Sequence, residues 1–346
     1  IEQKVDAVIF AGDAYKTRDP SPTQQRGFGE RIKKLPKAGI PLVMVVGNHD
    51  TPNASGKANT LDIYSALEVE GIFVSRRPEL LSIPTKSGSL QVISAPWLQK
   101  TEFSSLGEEL SRLYAKLNKA DPAILVGHLE VEGAAFGSEK GLAIINDVTV
   151  PLSLLTHQSL SYVALGHIHK HQNLNPANNP AVIYSGSPER IDFGEVVEDK
   201  GFVMIEIDQK KTQWKFVQTP ARKFISISVR LKSTDPDPTK TILTEIKKHD
   251  LDGSVVKVTL DLPADLSVEI NMDQIKKALD GAHFIASISR NVERVNRQLL
   301  DGPEEVESLT PIQALGHYWQ AKKISPARIK ELEGFAAKLL ESEGGL

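Results

Sequence analysis

The segment Val163-Ala-Leu-Gly-His-Ile-His169 decides how the rest of the 346-residue chain is read. A short apolar run, Tyr162 to Leu165, breaks at Gly166 and delivers two histidines two residues apart. The run predicts a buried strand, and the glycine predicts a sharp turn at its end. In an extended segment residues i and i+2 point to one side, so the imidazoles of His167 and His169 are expected to reach a common point. Three other stretches have the same form. Val5-Asp-Ala-Val-Ile-Phe-Ala-Gly-Asp13 ends in Gly-Asp, Pro41-Leu-Val-Met-Val-Val-Gly-Asn-His-Asp50 ends in Gly-Asn-His-Asp, and Ala123-Ile-Leu-Val-Gly-His128 ends in Gly-His.

Continuous apolar strands of this kind are buried on both faces, and open α/β sheets place their sites at the carboxyl ends of strands. One Gly-polar strand end is ordinary turn chemistry. Four of them, all carrying oxygen or imidazole donors, predict a metal centre drawn from Asp13, Asn48, His128, His167 and His169. Carboxylate, amide oxygen and imidazole without thiolate suit Mn²⁺, Fe²⁺ or Zn²⁺, and the oxygen share tilts the set toward Mn²⁺. One aspartate can bridge two ions, and two ions roughly 3.5–4 Å apart can clamp both oxygens of a phosphoryl transfer.

Composition narrows the class. The length predicts two or three domains. A net charge of −3 gives no global nucleic-acid signature, so any such contact must come from a local basic patch. With no cysteine, disulfides and thiolate metal sites are excluded and a reducing compartment is tolerated. No signal peptide and no run of membrane-spanning length is visible, and a cytoplasmic location is expected.

The series GD, GNHD, GH and GHIH resembles the calcineurin-like metallophosphoesterases. Longer stretches narrow the resemblance. Gly12-Asp-Ala-Tyr-Lys-Thr-Arg-Asp-Pro-Ser-Pro22, Gly127-His-Leu-Glu-Val-Glu-Gly-Ala134, Gly137-Ser-Glu139 and Tyr184-Ser-Gly-Ser-Pro-Glu-Arg-Ile-Asp-Phe-Gly-Glu195 resemble the SbcD-type DNA repair exonucleases, the nuclease subunits of SbcCD-like complexes. The resemblance implies an α/β protein: a four-layer α-β-β-α sandwich over residues 1–219, a small α/β capping domain over 220–300, and a helical tail over 308–346. It implies a metal-dependent DNA exonuclease or endonuclease in double-strand-break repair, with two Mn²⁺ ions in the complete protein.

By resemblance, one ion takes Asp13, Asn48, His128 and His167. The other takes an Asp-x-His pair, the bridging Asp13 and His169. That pair belongs at the end of an earlier strand, and nothing near residue 1 matches it; Ile1-Glu-Gln-Lys4 reads as the tail of a preceding helix. The expectation is a fragment with one complete ion site and half of the second, weak or inactive by itself. His49 is implied as the general acid and Asp50 as the residue orienting it. Lys16, Arg18, Ser187 and Arg190 are placed along the substrate path. His171 is expected to be second to the ligands or to face substrate, and His157 to lie at the surface.

Element by element, Thr23–Ala38 predicts a helix ending at Gly39, Glu102–Asn118 an amphipathic helix, and Gly71–Ser75 and Leu90–Ala95 strands of a second sheet. Thr51–Thr60 and Gly133–Gly141 read as loops at the rim of the site, and Gly201–Ile207 and Gln213–Val217 as closing strands. Beyond Thr219-Pro220, strands at Phe224–Leu231, Ser254–Leu262 and His283–Ser289 alternate with helices capped by Asp237 and Asn271. Arg222, Lys223, Arg230, Lys240, Lys247 and Lys248 are candidates for phosphate contact. After an acidic linker, Asp301–Glu307, two helices begin at Pro311 and Pro326. Their apolar stripes imply docking into a partner groove or onto the chain's own body; the resemblance implies that the partner is the coiled-coil root of an SbcC-type ATPase, with double-stranded DNA ends and a second copy of the chain as the other partners. A small-molecule phosphodiesterase or phosphatase on the same core, and a catalytically impaired scaffold binding DNA and the ATPase, remain as alternatives.

Overall fold

The computed structural model describes every residue except 53–55, 138–147, 177, 209–210, 264–269, 293–309, 322–323 and 343–346. The linker expected at Asp301–Glu307, part of the 133–141 rim loop and part of the Gly137-Ser-Glu139 stretch therefore lie outside the described residues.

The apolar runs form strands as their patterns demand. β1 (Val8–Phe10), β2 (Leu42–Val45) and β3 (Ile72–Ser75) make a parallel sheet in that order, with Val8 beside Leu42 and Val45 beside Ser75. β4 (Glu79–Thr85), β5 (Gly88–Ala95) and β6 (Ala123–His128) belong to a second sheet. Next come the short parallel pair β7 (Glu130–Val131) and β8 (Thr149–Val150), then β9 (Tyr162–Gly166), β10 (Gln172–Asn173) and β11 (Ala181–Tyr184). The second sheet runs β10-β11-β9-β6-β5-β4, parallel at its centre and antiparallel at both edges.

Alternation along the strands sorts their side chains into layers. Val43 and Val45 of β2 pack with Val92, Ile124, Val126, Tyr162 and Ile183 of the second sheet, so the two sheets share one apolar interior. The opposite residues of β2, Leu42 and Met44, pack with Phe28 and Ile32 of helix α1 (Pro22–Ile32). On the far face of the second sheet, Leu125, Val163 and Leu165 meet Leu106, Leu110 and Leu113. The result is the expected α-β-β-α order of layers.

Two elements differ from expectation. The helix foreseen over Thr23–Ala38 is divided: α1 ends at Ile32 and α2 (Lys34–Lys37) is a separate turn. Pro36 lacks an N–H for the helical ladder and breaks the run. Ser21, through a capping box with Gln24, starts α1, and Gly39 sits at φ +71° after α2. The segment Gly71–Ser75, expected in the second sheet, instead supplies β3, which pairs with β2. A short helix, α3 (Asp62–Ala66), returns the chain to the neighbouring parallel position. The edge strand β4 was not foreseen because Pro84 interrupts its pattern; an outermost strand tolerates proline.

The helix over Glu102–Asn118 is α4 (Leu106–Ala115), preceded by a 3₁₀ turn. β12 (Gly201–Asp208) and β13 (Lys211–Gln218) form an antiparallel pair. β14 (Phe224–Arg230), β15 (Val255–Leu262) and β16 (Phe284–Val292) form a three-stranded sheet, with α5 (Pro238–Ile246) and α6 (Met272–Ala278) between them in sequence. Asp237 and Asn271 cap those helices, accepting from the N–H of Lys240 and Gln274. α7 (Pro311–Ala321) opens with a Thr310–Gln313 capping box and is followed by α8 (Pro326–Ser342).

The chain divides into two compact units. One comprises Ile1–Ile227, Ile246–Val258 and Lys276–Ser287; the other comprises Ser228–Glu245, Thr259–Ile275 and Ile288–Leu346. Both packed sheets lie in the first. Among the described residues no helix is long and apolar enough to cross a membrane.

Candidate metal centre

The strand ends converge because small residues let the two sheets, and neighbouring strand ends within the first sheet, approach closely. A Cβ on Gly166 would collide with the Ala11 carbonyl, and one on Gly47 would collide with the Asp13 carboxylate. Gly166 was expected to supply a turn. Its requirement is instead close approach, and the positive φ falls on His167, at +90°. The two histidines are therefore delivered by a turn, not by strand pleating. Between them Ile168 is buried in the core and anchors the turn.

Asp13 also adopts a left-handed conformation, φ +58°. Asp50 holds that turn. Its Oδ2 accepts the N–H groups of Asp13 (2.8 Å) and Gly47 (2.9 Å), and its Oδ1 accepts the N–H of Ala14 (2.9 Å) and the Thr60 hydroxyl (3.3 Å). Asp50 was expected to orient His49. Its fully buried carboxylate instead ties the β1 and β2 ends together.

Four donors meet in front of this turn. His128 Nε2 lies 3.0 Å from Asn48 Oδ1 and 3.3 Å from Asp13 Oδ2, and His167 Nδ1 lies 3.2 Å from the same Asn48 oxygen. The other oxygen of Asp13 accepts the N–H of His49 at 2.8 Å. His128 Nδ1 faces the Ala11 carbonyl at 2.7 Å and can only donate there. Its Nε2 is then the lone-pair nitrogen of the neutral ring, turned toward two oxygen acceptors. Electron-rich atoms gathered this way call for positive charge, either a proton or a cation. Burial opposes a charged His128, but Asp13 outweighs it and raises the ring's pKa. Burial likewise raises Asp13, and His128, by charge and hydrogen bond, outweighs that and holds the carboxyl at about 2.

These spacings suit a divalent ion. Two ligands each about 2.1 Å from one ion, at roughly a right angle, lie about 3 Å apart. Among the described residues no group of three or more His, Cys, Asp or Glu side chains forms a cation site alone. The cluster here is joined through an amide oxygen, that of Asn48. With it, the set fits a divalent ion.

His169 has a different partner, Glu195 Oε1, at 2.7 Å from its Nδ1. Glu195 in turn meets Lys200 Nζ at 2.8 Å, and neither side chain is exposed. Glu195 closes one of the stretches that carry the family resemblance, whereas Lys200 escaped notice in the sequence. Buried acids and bases in a loop carry no periodic signal, and only the folded loop brings them under His169.

The residues expected on the substrate path are placed as follows. Arg18 donates through Nε to the Asn48 carbonyl at 2.9 Å, and Lys16 Nζ reaches the Ile191 carbonyl at 3.5 Å. Ser187 is buried; its N–H donates to the His169 carbonyl, and its hydroxyl has no partner among the described residues. Arg190 donates to the carbonyls of Glu195, Glu198 and Arg222, which makes it a clamp on its own loop. His171 Nδ1 donates to the Tyr184 carbonyl at 2.9 Å, and its ring stacks on Phe216. His157 stacks on Tyr114. In the basic set, Arg222, Lys223 and Arg230 lie beside Glu189, Asp250 and Asp261.

Residues 1–171 match the sequence profile of calcineurin-like phosphoesterases. An SbcCD nuclease subunit of Staphylococcus epidermidis is 26% identical over 225 residues, covering 61% of this chain and 58% of that protein. "DNA double-strand break repair protein Mre11" of Methanopyrus kandleri is 22% identical, covering 65% and 51%. The protein of that name from Saccharolobus solfataricus is 25% identical, covering 72% and 59%. The chain thus spans less than two thirds of the length of these curated relatives. The family implies divalent metal ions, in agreement with the donor set. From its strand-end motifs, its layers and these matches, residues 1–171 form a calcineurin-like phosphoesterase domain, and the chain resembles the SbcD-type proteins that carry such a domain.

Proposed function

We propose that this chain forms the phosphodiester-cleaving part of an SbcD-type nuclease acting on double-stranded DNA in repair, with Mn²⁺ as the ion. The observation that carries the reading is the meeting of His128 and His167 at Asn48 Oδ1, with Asp13 Oδ2 against the same His128 nitrogen. Those four residues would hold one ion, and Asp13 with His169 would contribute to a second. A bound divalent ion supplies Lewis acidity, stabilising charge on the phosphoryl oxygens and lowering the pKa of water.

The chain's own residues do the rest. His49 protonates the leaving sugar oxygen. Its main-chain N–H, tied to Asp13 Oδ1, fixes it beside the ligands. Lys16 and Arg18 lie on the loop that follows Asp13 and offer positive charge to the DNA backbone. Ser187, whose main-chain N–H donates to the His169 carbonyl, offers its hydroxyl to a phosphate oxygen. In the second unit, α7 and α8 expose Leu315, Tyr318 and Phe335, the apolar set expected to dock on the ATPase partner. The capping strands and helices serve to hold duplex DNA, and two copies of the chain assemble.

The test is cleavage of end-labelled linear duplex DNA in Mn²⁺. His49→Gln is expected to lower the rate roughly 10²- to 10⁴-fold with ion binding retained, and Asp13→Asn to abolish it. Hydrolysis of a small phosphodiester with DNA left intact would favour a small-molecule enzyme. DNA cleavage that survives both substitutions would remove the proposed site.

A further inference from the structure

Lys200 and Glu195 form an ion pair that is fully inside the protein, with Nζ 2.8 Å from Oε2. A buried pair of this kind is weak support for stability by itself, because desolvating two charges offsets most of their attraction. Its contacts point elsewhere. Glu195 Oε1 faces His169 Nδ1 at 2.7 Å, and Oε2 also accepts the Ile191 N–H at 3.1 Å. Lys200 Nζ donates as well to the His169 carbonyl at 3.2 Å and meets Glu198 Oε2 at 2.8 Å. Arg190 holds the carbonyls of Glu195 and Glu198 from the other side. The ammonium, the carboxylate and the guanidinium together fix one loop, and its contacts with His169 involve both the ring and the main chain of that residue.

A carboxylate can only accept, so His169 Nδ1 carries the proton in this contact and Nε2 the lone pair. Ion-binding histidines commonly donate their second ring N–H to a carboxylate, which sets tautomer, ring orientation and basicity. We propose that Glu195, anchored by Lys200, is the positioning residue of His169, holding its imidazole as the Nδ1–H tautomer so that Nε2 is presented to a divalent ion. This rests on His169 being an ion ligand, and it adds two residues that the ligand motifs do not contain.

The test combines a spectrum with a binding cycle on the full chain. In the metal-free wild type, the long-range ¹H–¹⁵N spectrum of the His169 ring is expected to show Nδ1 protonated. An Nε2–H ring would overturn the proposal, and this reading needs no variant to fold. By calorimetry, Glu195→Gln is expected to weaken Mn²⁺ binding roughly 10- to 100-fold, and to weaken it no further in a His169→Ala background. An equal loss in that background would mean Glu195 acts by another route and would also overturn it. Mn²⁺ binding that His169→Ala leaves untouched would remove the ligand role of His169 and this proposal with it, while sparing the Asn48-centred cluster. No Mn²⁺ uptake at all would remove both.

Discussion

Asp50 and His49 are neighbours in sequence with opposite work. Asp50 receives three main-chain N–H groups and a hydroxyl, all from segments that must meet for Asp13 to be presented. Asp50→Ala leaves buried donors unsatisfied and is expected to destabilise the protein by about 3 kcal/mol or more in urea denaturation. His49→Ala is expected to change stability by no more than about 0.5 kcal/mol. Equal effects would contradict this division of roles. Glu195 gives a pH test. Burial alone would raise its pKa; the hydrogen bonds from His169 and Lys200 outweigh burial and hold it at about 2, against an ordinary 4.5. The folded value lies below the unfolded one, so its contribution is present above about pH 4.5 and is lost as pH falls toward 2. Glu195→Gln should therefore be less stable near neutrality and lose less between about pH 5 and pH 3 than the wild type. Parallel stability curves would show that the carboxylate is not depressed.

The same sequence was legible to different degrees at the level of elements. Strand ends were legible because a Gly-polar step closing a continuous apolar run, met four times with ligand-type side chains, exceeds what turns alone require. Asp13, Asn48, His128 and His167 do meet. What could not be read was which distant segments press together. Gly166 looked like a turn residue and is a contact residue against Ala11. Gly166→Ala is expected to force the sheets apart and to destabilise by about 1–3 kcal/mol, as overpacking does. Arg190 looked like a phosphate ligand from its motif, yet its guanidinium is engaged by three carbonyls of the 190–222 region. Arg190→Ala should lower the denaturation midpoint, by about 1–3 kcal/mol in stability. A loss of DNA affinity with stability unchanged would return Arg190 to the substrate path. Helix α1 was foreseen but not its break, because the apolar spacing runs through Pro36 while the hydrogen-bond ladder does not.

At the scale of the whole molecule, the site belongs to no single element. It exists where the carboxyl ends of β1 and β2 from one sheet meet those of β6 and β9 from the other, and the shared apolar layer between the sheets sets that meeting. The C-terminal helices lie in the other compact unit. Under the proposed function, removing residues 310–346 is expected to abolish capture of an SbcC-type ATPase in a pull-down; capture that survives the truncation would place the docking face elsewhere. The central claim, that Asp13, Asn48, His128 and His167 hold one divalent ion, is tested most directly by anomalous diffraction from crystals grown with Mn²⁺. A manganese peak is expected about 2.0–2.2 Å from Asn48 Oδ1, His128 Nε2, His167 Nδ1 and an Asp13 carboxylate oxygen. Crystals in which Mn²⁺ binds elsewhere, or in which those four atoms keep their mutual contacts with no peak among them, would contradict the account.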